Sequence, residues 1–187
     1  MTEKQTYQVP MTTSKVQEMT KMALCVALLA VAAYISFPLP FTPAMVTGLT
    51  VAVNLVAFIL PPKQALIVMI IYVLLGAVGV PVFVGGTAGL AKIFGPTGGF
   101  IIGFVVAAFV MSLLRGNSCN YRKMLLLGIA VGMPIIYVGG CISMYAVAGM
   151  SVWKTLIIAV FPFIIGDVLK VVLAAFLADR LNAIAKR

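Results

Sequence analysis

The sequence predicts an all-α integral membrane protein with six transmembrane helices and both termini in the cytoplasm, and three observations carry that expectation. The 187 residues are 63% apolar and 9% charged, whereas an ordinary soluble domain is roughly half apolar and about a quarter charged. Apolar blocks recur from Met22 to Leu181, each of about 17–25 residues and so long enough to cross a ~30 Å hydrocarbon core as a helix. The basic residues fall between alternate blocks.

The expected spans are 20–37, 44–60, 64–80, 97–114, 124–148 and 155–179. They leave a single membrane domain over residues 1–187, with 1–19 as a polar cytoplasmic tail. That tail, MTEKQTYQVPMTTSKVQEMTK with its first helical residues, is too long for a signal-peptide n-region, and the apolar run after it lacks a small-residue cleavage site. A retained first helix is expected. With both ends inside, Lys4, Lys15, Lys21, Lys63, Arg115, Arg122, Lys123, Arg180, Lys186 and Arg187 lie on the cytoplasmic side, and Lys92 and Lys154 outside. Short basic loops stay inside, so the arrangement is self-consistent. It also accounts for the net charge of +9 without nucleic acid.

The loops differ in kind. LPPKQA and RGNSCNYRK, on the expected inner side, are short and polar or basic, whereas FPLPFTP and VPVFVGGTAGLAKIFGPTGG, on the outer side, are rich in Gly and Pro. The longer of these is too apolar for a solvated loop and too broken for a helix. Such backbone is tolerated at membrane depth only when buried in protein or lining a cavity, which leaves a packed hairpin and a ligand lid as alternatives. Small residues recur every four positions: Ala23 and Ala27; Gly95, Gly99 and Gly103; Gly128 and Gly132. This spacing places them on one helix face, where another backbone can approach. Internal packing is expected for the glycines, while for the alanines internal packing and a partner subunit both stand.

The last apolar block, FPFIIGDVLKVVLAAFLA, contains Asp167 and Lys170. Each costs on the order of 2.5–3.5 kcal/mol at a helix centre on insertion scales, so neither should face lipid. At i and i+3 they share a sector of the helix. Either they pair and lock the bundle, or they divide a ligand's donors and acceptors between them. Pro162 is expected to loosen the helix nearby, and Tyr137, Tyr145 and Trp153 are candidate aromatic walls, the last two also candidate interface anchors.

Other chemistry is excluded by what is missing. The chain has no His and four carboxylates, Glu3, Glu18, Asp167 and Asp179, too few for a Ser-His-Asp triad, a two-carboxylate hydrolase or a metal centre. No cofactor and no enzymatic activity are expected. GGTAGLAK and GPTGGF lack the G-x-x-x-x-G-K-[ST] pattern, so any ATP-driven step belongs to another subunit. Cys25, Cys119 and Cys141 form neither C-x-x-C nor an even set and are expected to be packing residues. An ion-coupled carrier using Asp167 is an alternative, although no inverted repeat is visible.

Three stretches taken together, PVFVGGTAGLAKIFGPTGGFIIGF (81–104), IIYVGG (135–140) and FPFIIGDVLKVVLAAFLA (161–178), resemble the BioY family of biotin-specific S components of energy-coupling factor (ECF) ABC transporters. The resemblance spans the chain in helix count and order and is most specific in G-P-T-G-G and P-F-x-x-G-D-x-x-K. It departs before the second helix, where PAMVTGLT keeps Thr47 and Thr50 but has Leu49 in place of the family's Gln; an alternative register uses LPFT at 39–42. The resemblance implies a six-helix S-component fold in the bacterial plasma membrane, with an outward-facing pocket formed by helices four to six and capped by the first and third loops. Asp167 and Lys170 would recognise biotin, Tyr137 and the backbone of Gly98 and Gly99 would line the pocket, and Gly86 would belong to the lid. Ala23 and Ala27 would dock on a membrane coupling subunit driven by two ATPases. An S component for another vitamin is the nearest alternative.

Overall fold

The computed structural model describes residues 12–40, 42, 44–116 and 120–185. Glu3, Lys4, Cys119, Lys186 and Arg187 lie outside the described residues. Helix α1 (Thr12–Tyr34) begins within the stretch expected as a tail and stops short of residue 37. It stops because Pro38 and Pro40 follow: the residue before a proline is driven out of the helical region. The segment instead forms a small antiparallel hairpin, β1 (Ser36–Pro38) with β2 (Met45–Thr47), in the register Ser36↔Thr47, Phe37↔Val46 and Pro38↔Met45.

Helix α2 (Leu49–Ile59) fills only part of the second expected span. Its 11 residues rise only about 16 Å, half a hydrocarbon core. It is also the most enclosed, with nearly every residue from Leu49 to Phe58 buried among α1, α5 (Gly98–Arg115) and α9 (Phe161–Ala185). Pro61 and Pro62 end it and supply no N–H to its last carbonyls. Side chains from elsewhere do so: Arg115 Nε donates to Ala57 O (3.3 Å) and its Nη2 to Leu60 O (3.1 Å), Ser112 Oγ donates to Leu60 O (2.6 Å), and Asn182 Nδ2 to Phe58 O (3.1 Å). Arg115, expected as a loop charge, is thus buried as a cap.

Helix α3 (Pro62–Ala77) leads into an irregular stretch, residues 78–97, that contains the single-turn α4 (Leu90–Ile93) and an isolated Phe83↔Thr87 bridge. Helix α6 (Tyr121–Leu127), a π-helical segment Gly128–Gly132 and α7 (Met133–Ala148) run on as one apolar rod. The π turn has an identifiable cause. Pro134 cannot donate to the carbonyl four residues back and its ring crowds that turn, so the ladder slips by one and the Met133 N–H bonds Gly128 O. The final expected span is two helices, α8 (Val152–Ala159) and α9, broken at Val160 just before Pro162. Among the described residues, four helical segments are long and apolar enough to cross a membrane: Lys15–Tyr34, Gly98–Arg115, Tyr121–Ala148 and Phe161–Ala183. The shorter α2 and α3 are apolar as well.

Apart from Gly95, which lies before α5 against Ala91 O of its own loop, the four-residue glycine pattern is used for packing between helices, as expected. A Cβ on Gly99 would collide with the carbonyl of Gly139, and one on Gly139 with the carbonyl of Gly99, so α5 and α7 touch backbone to backbone. Gly103 sits 3.0 Å, measured from an ideal Cβ, from Ile136 Cα. Gly128 leaves room for Val171, and Gly132 for Met111. By contrast Ala23 and Ala27 are exposed on α1, whose buried face is Val26, Leu29 and Ala33.

Gly139→Leu should force α5 from α7 and lower stability by about 1–3 kcal/mol, as overpacking does. Thermal unfolding in detergent reads this as a lower midpoint; an unchanged midpoint would contradict the backbone contact.

Candidate ligand-binding site

A cavity opens at the end of the bundle that carries the β1–β2 hairpin and the 78–97 stretch. With its open mouth included, the space amounts to about 730 Å³. Its floor comes from Thr47, Leu49 and Thr50 at the head of α2, its sides from Phe100, Ile101 and Phe104 on α5 and from Ile136 and Tyr137 on α7. Phe163, Asp167 and Lys170 on α9 complete the wall, and Met45, Phe83, Val84 and Lys92 come from the loops. The walls are apolar, and the charged groups stand out against them.

Asp167 is at the centre of those charges. One carboxylate oxygen, Oδ1, accepts from Lys170 Nζ at 2.9 Å, and the other, Oδ2, accepts from the Tyr137 hydroxyl at 2.7 Å. The side chains of Lys170 and Asp167 are 17% and 10% exposed, so the ion pair is largely removed from solvent. Both oxygens of a buried carboxylate are therefore engaged, as a charge held in an apolar bundle requires. The i, i+3 spacing on α9 makes the pair, and Tyr137 reaches it from α7. Lys170 carries three donors and Asp167 four lone-pair sites, so each retains capacity for a ligand on its cavity side. Lys92, on α4, brings a second ammonium to the same space. One acid and two bases give the lining a net positive charge.

The loops are seated on this cavity by specific contacts. The Phe83 ring packs where a Cβ on Gly76 would be, and meets the Tyr72 ring edge-on at 5.8 Å between centroids. The Tyr72 hydroxyl donates to Val82 O at 2.9 Å. On the far side Ser143 Oγ donates to Pro96 O at 2.8 Å, which holds the G-P-T-G-G stretch against α7.

Of the residues expected to form the site, the structure brings together Asp167, Lys170 and Tyr137. Gly98 and Gly99 lie behind the lining: a Cβ on Gly98 would collide with the carbonyl of Ile93, and Gly99 is packed on Gly139. Their neighbours Thr97, Phe100 and Ile101 reach the cavity instead. Gly86 is in the loop that supplies Phe83 and Val84 but is not itself in the wall. Tyr145 and Trp153 are exposed, at 61% and 67%, and form no wall; Tyr72, Phe83, Phe100, Phe104, Tyr137 and Phe163 are the aromatic residues that do. Lys92 is the charged lining residue that sequence reasoning missed, because a lysine in a loop had already been accounted for as a topology signal. Pro162 does more than loosen the helix: α9 starts at Phe161, and the N–H groups of Phe163 and Ile164 both bond Val160 O.

Apolar helices around a cavity with a buried acid–base pair define a polytopic membrane protein that holds a small polar solute. The chain belongs to the BioY family, whose model matches residues 3–187. It is 38% identical over 168 residues to a probable biotin transporter BioY of Pyrococcus horikoshii, covering 90% of this chain and 98% of the relative. It is 35% identical to the biotin transporter BioY of Thermotoga maritima, with 89% and 96% covered. The fold superposes with a TM-score of 0.83, at 22% identity and over 94% and 95% of the two chains, on the S-component for biotin from an ECF-type ABC transporter.

The ion pair yields a stability prediction that needs no ligand. Lys170→Met leaves Asp167 without its cation and should destabilise the protein by about 3–5 kcal/mol, and adding Asp167→Asn should recover most of that loss. Thermal unfolding of both variants measures it; equal midpoints for the single and double variants would contradict the pairing.

Proposed function

We propose that this chain is the biotin-capturing S subunit of an ECF-type ABC importer, a binding protein without ATPase or other enzymatic activity of its own. The observation that carries the proposal is the Tyr137–Asp167–Lys170 network facing an otherwise apolar cavity, in a chain of the BioY family. Biotin offers two ureido N–H donors, a ureido carbonyl, an apolar thiophane ring and an anionic tail. Asp167 accepts from the ureido N–H groups, exchanging part of its internal hydrogen bonding for the ligand's. Phe100, Phe104, Ile136 and Phe163 enclose the ring. Lys170 and Lys92, both in the lining, are the partners for the ureido carbonyl and the carboxylate, and the net positive lining suits a monoanion.

In this reading α2 and α3 join the four longer segments to make six crossings of the bacterial plasma membrane, with the cavity facing outward and both termini in the cytoplasm. Lys15, Lys21, Lys63, Arg122, Lys123 and Arg180 then lie at the cytoplasmic end. The exposed Ala23 and Ala27 present a small-residue face on α1 to the coupling subunit, which two ATPases drive. Gly98 and Gly99 act by letting the loop and α7 close in, and Gly86 by shaping the lid.

Binding isotherms test the assignment. Asp167→Asn and Lys92→Ala are each expected to weaken biotin binding by about 10- to 100-fold, the worth of a charge-assisted hydrogen bond; wild-type affinity in Asp167→Asn would remove that carboxylate from the site. Ala23→Trp with Ala27→Trp should abolish uptake in cells carrying the partner subunits while the purified variant binds biotin normally. Uptake at the wild-type rate would contradict docking through α1.

A further inference from the structure

The last turn of α1 meets the loop that covers the cavity. Ala33 O accepts from the Gly85 N–H at 3.1 Å, and an ideal Cβ on Gly86 would stand 3.1 Å from Tyr34 Cε1. Both glycines have left-handed backbone, φ +76° and +68°, which side-chain-bearing residues rarely adopt. They form the tip of a tight turn closed by the Phe83↔Thr87 bridge and by the Gly86 N–H on Phe83 O at 2.9 Å. The same turn carries Phe83 and Val84 into the cavity wall. Gly85 also sits over Met45, another wall residue, so the two loops meet at this point.

Besides this contact with Met45, the turn is held on two sides by the helices. Toward α3 it is anchored by Phe83 and Tyr72, each 1% exposed. Toward α1 it is held by one backbone hydrogen bond and the Tyr34 ring, which is 57% exposed. The α1 side is the weaker, and the side that can part without disturbing the core. An aromatic residue at a helix end also serves as a membrane-interface anchor, but that role asks nothing of Gly86.

We propose that Tyr34 is a positioning residue that latches the 83–87 turn over the cavity, so that its ring sets how often the cavity opens. The ring lies against a glycine whose conformation and missing side chain together let the turn come down onto α1. Loss of the ring frees the turn at its tip while the Phe83 anchor stays in place, and the ligand contacts on α7 and α9 are untouched. A thiol placed in the cavity wall then reports opening directly.

The test uses the full chain in detergent with Cys25→Ala, Cys119→Ser and Cys141→Ala, and Ala159→Cys introduced in the cavity wall. The rate of its reaction with a charged maleimide is measured without ligand. Tyr34→Ala should react about three- to tenfold faster, the factor that corresponds to losing one modest contact, while Tyr34→Phe keeps the parent rate. Gly86→Val, which displaces the turn from the other partner, should react as fast as Tyr34→Ala and decides the matter if Tyr34→Ala fails to fold. The parent rate in Tyr34→Ala, or in a folded Gly86→Val, would overturn the proposal. The name of the ligand rests on the capture reading, and the thiol arm does not. In a second arm, on the chain with Ala159 and its cysteines left in place, biotin dissociation should quicken by the same factor in Tyr34→Ala with little change in association. If that unsubstituted chain does not bind biotin, the capture reading fails and the thiol rates still decide the latch.

Discussion

A carboxylate buried in an apolar bundle must be compensated, and the arrangement around Asp167 follows from that constraint. Lys170 lies one turn along the same helix and Tyr137 reaches across from α7, so that both oxygens have donors. For Tyr137 to reach, α7 must come close to α5 and α9. The glycines at those crossings permit this: Gly99 on Gly139, Gly103 on Ile136, Gly128 beneath Val171. The π turn at Gly128–Gly132 sets the rotation of α7 relative to α6 and so the direction in which Tyr137 points. A polar network of this kind is sensitive to small displacements, because a partly satisfied buried charge is worse than none.

The cavity exists because the apolar helices are unequal. Helix α2 is half as long as a spanning helix, and its head is the floor of the site. The irregular backbone of residues 78–97 closes that space, and the rule that such backbone must be buried or line a cavity is met by the Phe83 seat on Gly76 and the Pro96 bond to Ser143. At the opposite end Arg115, Ser112 and Asn182 satisfy the carbonyls that Pro61 and Pro62 leave open. A stop that is costly in lipid is thereby made stable, and the short helix can remain short.

The legible part of the site was its charge. Asp167 and Lys170 stand out in an apolar run, their shared sector follows from helix geometry, and the glycine spacing announced close packing. What the sequence did not disclose depends on contacts distant along the chain. Nothing near Arg115 signals that it caps α2, more than 50 residues away. The Gly76–Phe83 fit and the reach of Lys92 into the cavity are decided by how the loop folds back, and the three-residue strands of the hairpin are too short to show a period. One signal was available and was not used, Pro134, which causes the π turn; Pro162 was read as loosening one helix, whereas it separates α8 from α9. The choice between lid and packed hairpin for residues 78–97 was open in the sequence; in the structure the loop both packs on α3 and lines the cavity.

The central claim is that one acid, two bases and apolar walls select biotin. Calorimetric titration of the purified, ligand-depleted chain with biotin, with riboflavin and thiamine as controls, tests it most directly. Saturable binding of biotin alone, at one site per chain, is the predicted result. A folded sample that takes up no biotin, or that binds either control as tightly, would contradict it.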